Sequence, residues 1–151
     1  MKEIVIPKEK AVFWMGGNGR WYNEHGPFQH KKLIEYFNTS IRWDSDGFFV
    51  SQVRGDIHEK VYFRCKETAL FAVDITAGDE FMIILNTRES IRLDPQQLYI
   101  KDDCLFMHYQ ETTVKFTDRS MMRLAENIEE RDGAFYFNYQ GNRHALQKTE
   151  A

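Results

Sequence analysis

Three arginines are the residues of this sequence best suited to binding chemistry. Arg64 and Arg88 lie around the predicted middle strands, and Arg119 lies in the first turn of a predicted helix. A cation in that first turn opposes the helix dipole, so it does not stabilise the helix. One interpretation is a pocket for an anion or a nucleotide in a groove between two halves of the chain. The other is a set of ion pairs, for which the available partners are Asp118, Glu89 and Asp74.

No other group of residues is typical of an enzyme or a metal site. The five histidines are scattered without an i, i+4 pair, and no G-x-S-x-G elbow is present. Asp102, Asp103, Cys104 and His108 come closest to a metal cluster. On one strand, however, Cys104 and His108 would lie about 13 Å apart, too far to chelate one zinc ion. We therefore expect no catalytic residue, no metal and no cofactor, and the sequence favours a non-enzymatic function.

Size and charge restrict the class of protein. The chain has 151 residues, of which 42% are hydrophobic and 28% charged, and this is the composition of a soluble globular protein. Its formal net charge of −3 gives no positive field to hold a nucleic acid. No apolar run is long enough for a membrane span, and residues 7–10 interrupt any signal-peptide core. The two cysteines, Cys65 and Cys104, are expected to be buried free thiols. We expect a cytoplasmic protein.

The elements that must position these residues follow a pattern that occurs twice. Residues 21–50 contain an aromatic run, an amphipathic helix, an Asp-Gly turn and a second aromatic run, and residues 105–137 repeat this order. The apolar stripe of the first helix contains Phe28, Leu33, Ile34, Phe37 and Ile41. The stripe of the second helix contains Met121, Leu124, Ala125 and Ile128. The pattern predicts an α+β fold made of two similar strand-helix-strand units that share antiparallel sheets.

Strand and turn signals complete the predicted architecture. Short strands are predicted at 48–53, 60–65, 69–75, 81–85, 91–93 and 98–100, and the end from Gln147 is predicted to be loose. Gly16, Gly17 and Gly19 lack phosphate-loop spacing and predict a hairpin. The acidic turn that ends at Gly47 lacks the spacing of a calcium loop, so it also predicts a turn between strands. We assign residues 1–57 to an N-terminal α+β unit with an extended arm. Residues 58–151 form a unit with an antiparallel sheet and a helix, packed with the first as one globule.

The order of short motifs resembles a bacterial family known as domain of unknown function 1285. The shared features are an early G-x-W strand at Gly19-Arg20-Trp21, the helix with Leu33, Ile34 and Phe37, the turn from Asp44 to Phe48, the strand 67–71, the Asn86-Thr87 pair and the helix-opening Arg119. The resemblance implies a duplicated α+β core whose second half is similar to a pleckstrin-homology fold. It also implies a binding or signalling role at the interface, with no established enzymatic activity. Asn86 thereby joins Arg64, Arg88 and Arg119 in the candidate ligand-binding set.

Three functions remain open from the sequence. The leading hypothesis is a non-enzymatic binding or regulatory protein that holds a small anionic ligand or a protein partner at the interface of its two halves. The first alternative is an oligomeric interaction scaffold that uses aromatic strands such as 135–139 or 48–50, which would make the protein a homo-oligomer. The second alternative is an unrecognised hydrolase or transferase with carboxylate chemistry.

Overall fold

The computed structural model describes residues 1–149. Its chain divides into two compact units, Met1–Ala69 and a second unit that begins at Leu70. The predicted boundary after residue 57 falls inside a strand that pairs with two strands of the first unit. Within the described residues, no helix has the length and apolar character needed to cross a membrane.

The first unit contains seven strands and one α-helix among the described residues. They are β1 (Lys2–Ile6), β2 (Phe13–Met15), β3 (Trp21–Asn23), β4 (Gly26–Pro27), α1 (Lys31–Thr39), β5 (Ile41–Asp44), β6 (Gly47–Arg54) and β7 (Ile57–Tyr62). One sheet has the order β1-β7-β6-β5, in which β1 is parallel to β7 and the other neighbours are antiparallel. The second sheet is the small meander β2-β3-β4. The predicted extended arm is therefore an edge strand.

An aromatic cluster forms the core of the first unit. The buried Trp21 ring packs edge-on against Phe63 and Phe37, with centroids 4.8 and 5.3 Å apart, and Phe13 packs on the same Phe37 ring at 4.9 Å. The Trp21 indole N–H donates a 2.7 Å hydrogen bond to Asn38 Oδ1, so the buried donor is satisfied. Of the predicted stripe of the first helix, Phe37 lies in this core and Leu33 is exposed. The prediction is wrong for Phe28 and Ile41, which lie before and after α1.

The second unit contains nine strands and one α-helix among the described residues. They are β8 (Leu70–Thr76), β9 (Met82–Leu85), β10 (Ser90–Arg92), β11 (Leu98–Lys101), β12 (Cys104–Tyr109), β13 (Thr112–Phe116), α2 (Asp118–Leu124), β14 (Ile128–Arg131), β15 (Ala134–Tyr139) and β16 (Asn142–Thr149). They form one sheet with the order β10-β9-β8-β13-β12-β11-β16-β15-β14. The pairs β8/β13 and β11/β16 are parallel, as is β1/β7 in the first unit, so the expectation of antiparallel sheets is wrong at these three pairs.

Two element boundaries in this unit differ from the sequence prediction. Helix α2 ends at Leu124 and is followed by a 3₁₀ turn, so Ile128, predicted on the helix, opens β14 instead. The predicted loose end from Gln147 is wrong as far as Thr149, because Gln147, Lys148 and Thr149 pair with β11. The last two residues of that prediction lie outside the described residues. The hydrogen bonds of a parallel strand pair leave no local signal in the sequence.

The local order that suggested a repeat occurs in both units. Helix α1 is followed by the β5–β6 hairpin with Gly47 at its turn, and α2 is followed by the β14–β15 hairpin with Gly133 at its turn. Both glycines have positive φ, 121° and 83°, which confirms that both acidic stretches are turns between strands. The sheets around the hairpins differ, because β5–β6 belongs to a four-stranded sheet and β14–β15 to a nine-stranded one. The duplication and the pleckstrin-homology likeness remain predictions.

Candidate functional site

Arg119 takes part in an ion-paired cluster. Its guanidinium Nη2 lies 3.3 Å from Asp74 Oδ2, and Arg123 Nε lies 3.1 Å from Asp74 Oδ1. The structure thus confirms one of the ion pairs expected from the sequence. Both arginine side chains are largely exposed, 69% for Arg119 and 55% for Arg123. Because two guanidinium groups share one carboxylate, the cluster has a net charge of about +1.

Asp74 is held in its ionised form by its surroundings. The backbone N–H of Ile75 donates to Asp74 Oδ1 at 2.9 Å and is the largest cause of the lowered pKa of Asp74, followed by the two guanidinium charges. Asp74 lies on β8, and both arginines lie on α2, one turn apart. The cluster therefore links the helix to the sheet.

Asn86 and Arg88 lie in the turn between β9 and β10. The Asn86 Oδ1 atom accepts the N–H of Phe71 at 2.9 Å, and the Asn86 N–H donates to the Phe71 carbonyl at the same distance. Arg88 has a φ of +77°, and its N–H donates to the Leu85 carbonyl at 2.8 Å. These contacts give Asn86 a structural role, which is to fasten the turn to β8.

Arg64 belongs to the first unit. Its side chain is exposed, and its carbonyl accepts the Met15 N–H at 2.9 Å where residues 14 and 64 form an isolated bridge. Within the first unit, the hydrogen bond described for Arg64 is therefore made by its backbone. A ligand-binding role for Arg64, Arg88, Arg119 and Asn86 as one set remains a prediction.

A cleft of about 550 Å³ lies in the second unit. Ile91, Leu93 and Tyr139 contribute buried side chains to its wall, and Tyr109 is half-buried. The polar and charged side chains around them are Glu80, Arg92, Asp94, Gln96, Gln140, Asn142 and His144. Small-molecule sites combine apolar and polar side chains in a cleft of this volume, although the lining here is more polar than is usual for them.

Hydrogen bonds between distant parts of the chain fix the walls of this cleft. The Tyr139 hydroxyl accepts the Phe81 N–H at 2.6 Å, and Gln140 Nε2 donates to the Asp79 carbonyl at 2.8 Å. Both bonds tie the end of β15 to the segment before β9. The cleft is therefore held in shape without a ligand.

The charges of the cleft lining favour some ligands over others. Arg92 Nε lies 3.2 Å from Glu80 Oε2, so the cleft's guanidinium is already paired. Asp94 Oδ1 accepts the Gln96 N–H at 3.1 Å and caps the 3₁₀ turn at Pro95–Gln97. Burial, followed by the charge of Glu89, raises the pKa of Tyr109, so this phenol stays protonated and able to donate. The lining has two carboxylates and one guanidinium, which disfavours an anion.

Two smaller hollows have simpler linings. One of about 110 Å³ in the second unit is almost wholly apolar, with Cys104, Met121 and Phe135 among its lining residues. The other, about 380 Å³, lies in the first unit around His25, Phe28 and His30. Both cysteines are free and half-buried, and burial raises the pKa of the Cys65 thiol. Residues 1–149 contain no cluster of three or more acidic, histidine or cysteine side chains that could hold a metal ion.

No residue of the cleft belongs to the ligand-binding set predicted from the sequence. Tyr109, Tyr139, Asp94 and His144 come from four separate segments, and none belongs to a motif. Only the pairing of β16 with β15 and β11 brings the C-terminal segment into the same wall as β10.

Comparison with solved structures identifies the fold. A DUF1285 family protein from Silicibacter pomeroyi DSS-3 aligns with a TM-score of 0.66 at 17% sequence identity, over 96% of this chain and 83% of its own. A second, from Shewanella baltica OS155, aligns with a TM-score of 0.57 at 14% identity, over 79% of this chain and 94% of its own. No protein-family model matches the sequence, and no curated protein is significantly similar to it. The resemblance seen in the sequence is confirmed at the level of the fold.

Proposed function

We propose that this chain, with its DUF1285-like fold, is a binding or regulatory protein whose second unit holds a small polar molecule in the cleft. The observation that carries the proposal is the cleft's combination of an apolar wall, with Ile91, Leu93 and Tyr139, and a polar rim. The volume of about 550 Å³ and the walls fixed by long-range hydrogen bonds support the proposal, because ligand sites are clefts of this size that are largely formed in advance.

The chemistry of the rim indicates a neutral or cationic ligand. Amides, a phenol and a carboxylate donate to and accept from hydroxyl and amino groups, while the aromatic wall covers an apolar face. The second carboxylate oxygen of Asp94 favours a ligand with a hydroxyl or an amino group, because a carboxylate accepts hydrogen bonds and does not donate them. Polyols and small amines are therefore the proposed ligand classes.

A thermal-shift and ligand-observed NMR screen against polyols, amines and carboxylates tests this proposal. We expect binding within the first two classes, and Asp94→Asn should weaken it about tenfold, ~1.4 kcal/mol. Asparagine still accepts the Gln96 N–H, so the variant removes charge and keeps the cap. Glu126→Gln, an exposed carboxylate of the same unit outside the cleft, is the matched control. The proposal is wrong if no polyol or amine binds, even where a carboxylate does, or if both variants weaken binding equally.

A second candidate function rests on the Arg119–Arg123–Asp74 cluster. Its uncompensated charge and high exposure suit an anionic ligand or an acidic partner surface, the class expected from the sequence. Titration with inorganic phosphate should perturb the NMR signals of α2, and Arg119→Ala should abolish the perturbation. Arg131→Ala is the control, since Arg131 is also exposed and paired to a carboxylate, Glu129. A signalling role and a cytoplasmic location are part of this proposal.

A further inference from the structure

Three side chains on one face of the sheet β1-β7-β6 have the order of a nucleophile, a base and an orienting carboxylate. Ser51 Oγ lies 2.7 Å from His58 Nε2. The other ring nitrogen, His58 Nδ1, lies 3.8 Å from Glu3 Oε2. With its proton on Nδ1, facing the carboxylate, the imidazole accepts at Nε2 and draws the hydroxyl proton of Ser51.

Strand register places these three residues together. Glu3 of β1 is the partner of His58 of β7, and His58 is the partner of Val53 of β6. Side chains of paired residues share a face, and so do residues two apart on one strand, so Ser51 lies diagonally from His58 on that face. All three residues are therefore held by paired strands, which fix a constellation more closely than loops do.

The neighbouring side chains provide a cation and apolar contacts. Lys60 is the register partner of Ser51, and its ammonium lies 3.9 Å from Asp44 Oδ2 and 4.9 Å from the centre of the Phe49 ring. Lys60 thereby places a cationic residue at the strand position opposite Ser51, on the same face of the sheet as the Ser51 side chain, and a cation stabilises the negative charge that develops when a carbonyl is attacked. Val53 and Val5 lie on the same face and are 62% and 51% exposed. They make this exposed face of the sheet partly apolar.

We infer that Ser51 is an acyl-accepting nucleophile for small esters with an apolar acyl chain, with His58 as its base and Glu3 as a positioning residue. The inference goes beyond the proposed ligand binding, because it concerns the first unit and a different class of substrate. His58 is 25% exposed and Ser51 is half-buried, so a small ester has access to both.

The reaction has two balanced steps. Ser51 Oγ attacks the ester carbonyl carbon while its proton moves to His58 Nε2, and the carbonyl oxygen becomes an anion. Collapse of this intermediate breaks the ester C–O bond, and the alcohol leaves with the proton from His58. Water then attacks acyl-Ser51 and gives its proton to His58. The bond between the acyl group and Ser51 Oγ then breaks and the carboxylic acid is released. Ser51 Oγ takes the proton back from His58.

The test is labelling of the intact chain with an alkyl fluorophosphonate, followed by peptide mass spectrometry. We expect an adduct on Ser51, and His58→Gln should slow its formation about a hundredfold or more, the usual contribution of a general base. Ser51→Ala should remove both the adduct and any burst of nitrophenol from p-nitrophenyl butyrate. Circular dichroism of each variant verifies that the sheet is retained.

Ser45 is an internal control, because it is an exposed serine in the β5–β6 turn. Its labelling should be far slower than that of Ser51 and unchanged by His58→Gln. The inference is overturned if folded wild-type chain shows no Ser51 adduct, if His58→Gln leaves the rate unchanged, or if Ser45 reacts as fast as Ser51.

The positioning role of Glu3 has a separate readout. The charged groups on this face are Glu3 on β1, Lys60 on β7, and Asp44 and Arg42 on β5. Glu3→Gln should slow the labelling of Ser51, because the imidazole then loses the carboxylate that faces Nδ1 and orients the ring. Glu3→Asp should restore most of the wild-type rate. An unchanged rate in Glu3→Gln would remove Glu3 from the mechanism.

Discussion

Tyr62 and Asp44 show how one hydrogen bond sets the protonation of two groups. The Tyr62 hydroxyl donates to Asp44 Oδ2 at 2.6 Å. This bond is the largest cause of the lowered pKa of Asp44, and it raises the pKa of Tyr62 to about 12, with burial adding to the effect. Only the neutral phenol can donate this hydrogen bond, so the folded state disfavours the ionisation of Tyr62.

We predict that Tyr62 ionises later than an ordinary tyrosine in an alkaline titration followed by tyrosinate absorbance. Its component, obtained by subtracting the Tyr62→Phe titration, should have its midpoint near 12 rather than 10. Because the folded pKa is raised, this stabilisation is complete below pH 10 and is lost as the pH rises toward 12. Asp44→Asn should bring the midpoint down, and a Tyr62 midpoint near 10 in the wild type would contradict the prediction.

A second prediction at this scale concerns Asn86. Replacing Asn86 with alanine leaves the Phe71 N–H without its side-chain acceptor, so unfolding in urea should show a loss of about 1–3 kcal/mol. Asn86→Asp keeps an oxygen at that position and should cost less. Equal losses in the two variants would show that the acceptor is not the stabilising group.

The sequence indicated some residues of the candidate sites and missed others for a definite reason. The pairing of Arg119 with Asp74 was among the predicted alternatives, because a cation in the first turn of a helix needs a partner. Ser51, His58 and Glu3 gave no signal. They belong to no motif, and only the register of three strands brings them together.

At the scale of elements, the stability of α2 depends on the residue just before its first turn. Thr117 Oγ1 accepts the Ser120 N–H at 3.2 Å and donates to the Ala72 carbonyl at 3.0 Å, so one hydroxyl caps the helix and attaches it to β8. The helix has only seven residues, and a helix of that length needs such contacts to persist. Thr117 is therefore the N-cap of α2.

We predict that Thr117→Ala lowers the free energy of unfolding by about 1–2 kcal/mol, the usual cost of losing an N-cap. Thr117→Ser keeps the hydroxyl and should retain most of the stability. Urea unfolding followed by far-ultraviolet circular dichroism measures both. A loss in the serine variant as large as in the alanine variant would assign the effect to the methyl group instead.

The remaining errors at this scale have a common cause. Local sequence signals located both Asp-Gly hairpins and most antiparallel strands. Turn residues, and the alternation of polar and apolar residues, can be recognised from a few neighbouring residues. The 3₁₀ turn that ends α2, the strand β16 and the parallel pairs depend on distant partners. Periodicity alone therefore extended the helix to Ile128 and left the C-terminal segment without a strand.

At the scale of the whole molecule, lowered carboxylate pKa values in both units determine its response to acid. Asp44 is lowered first by the Tyr62 hydroxyl, Asp74 by the Ile75 N–H, and Glu129 by the Asn138 amide. Their ordinary values are 3.8 for the aspartates and 4.5 for the glutamate. Since each folded pKa lies below its ordinary value, the stabilisation is present above those values and is lost as the pH falls through the folded ones.

We predict that the urea midpoint of the intact chain stays nearly level from about pH 7 to about pH 5 and falls steeply below about pH 4. Asp74→Asn should lower the midpoint at neutral pH, because Arg119 and Arg123 then lose their shared anion. The difference between wild type and variant should shrink as Asp74 of the wild type becomes protonated. Asp118→Asn, a carboxylate of the same helix region for which no such ion pair is seen among the described residues, is the control. A difference that stays constant down to the lowest pH would show that Asp74 stabilises the protein without its charge.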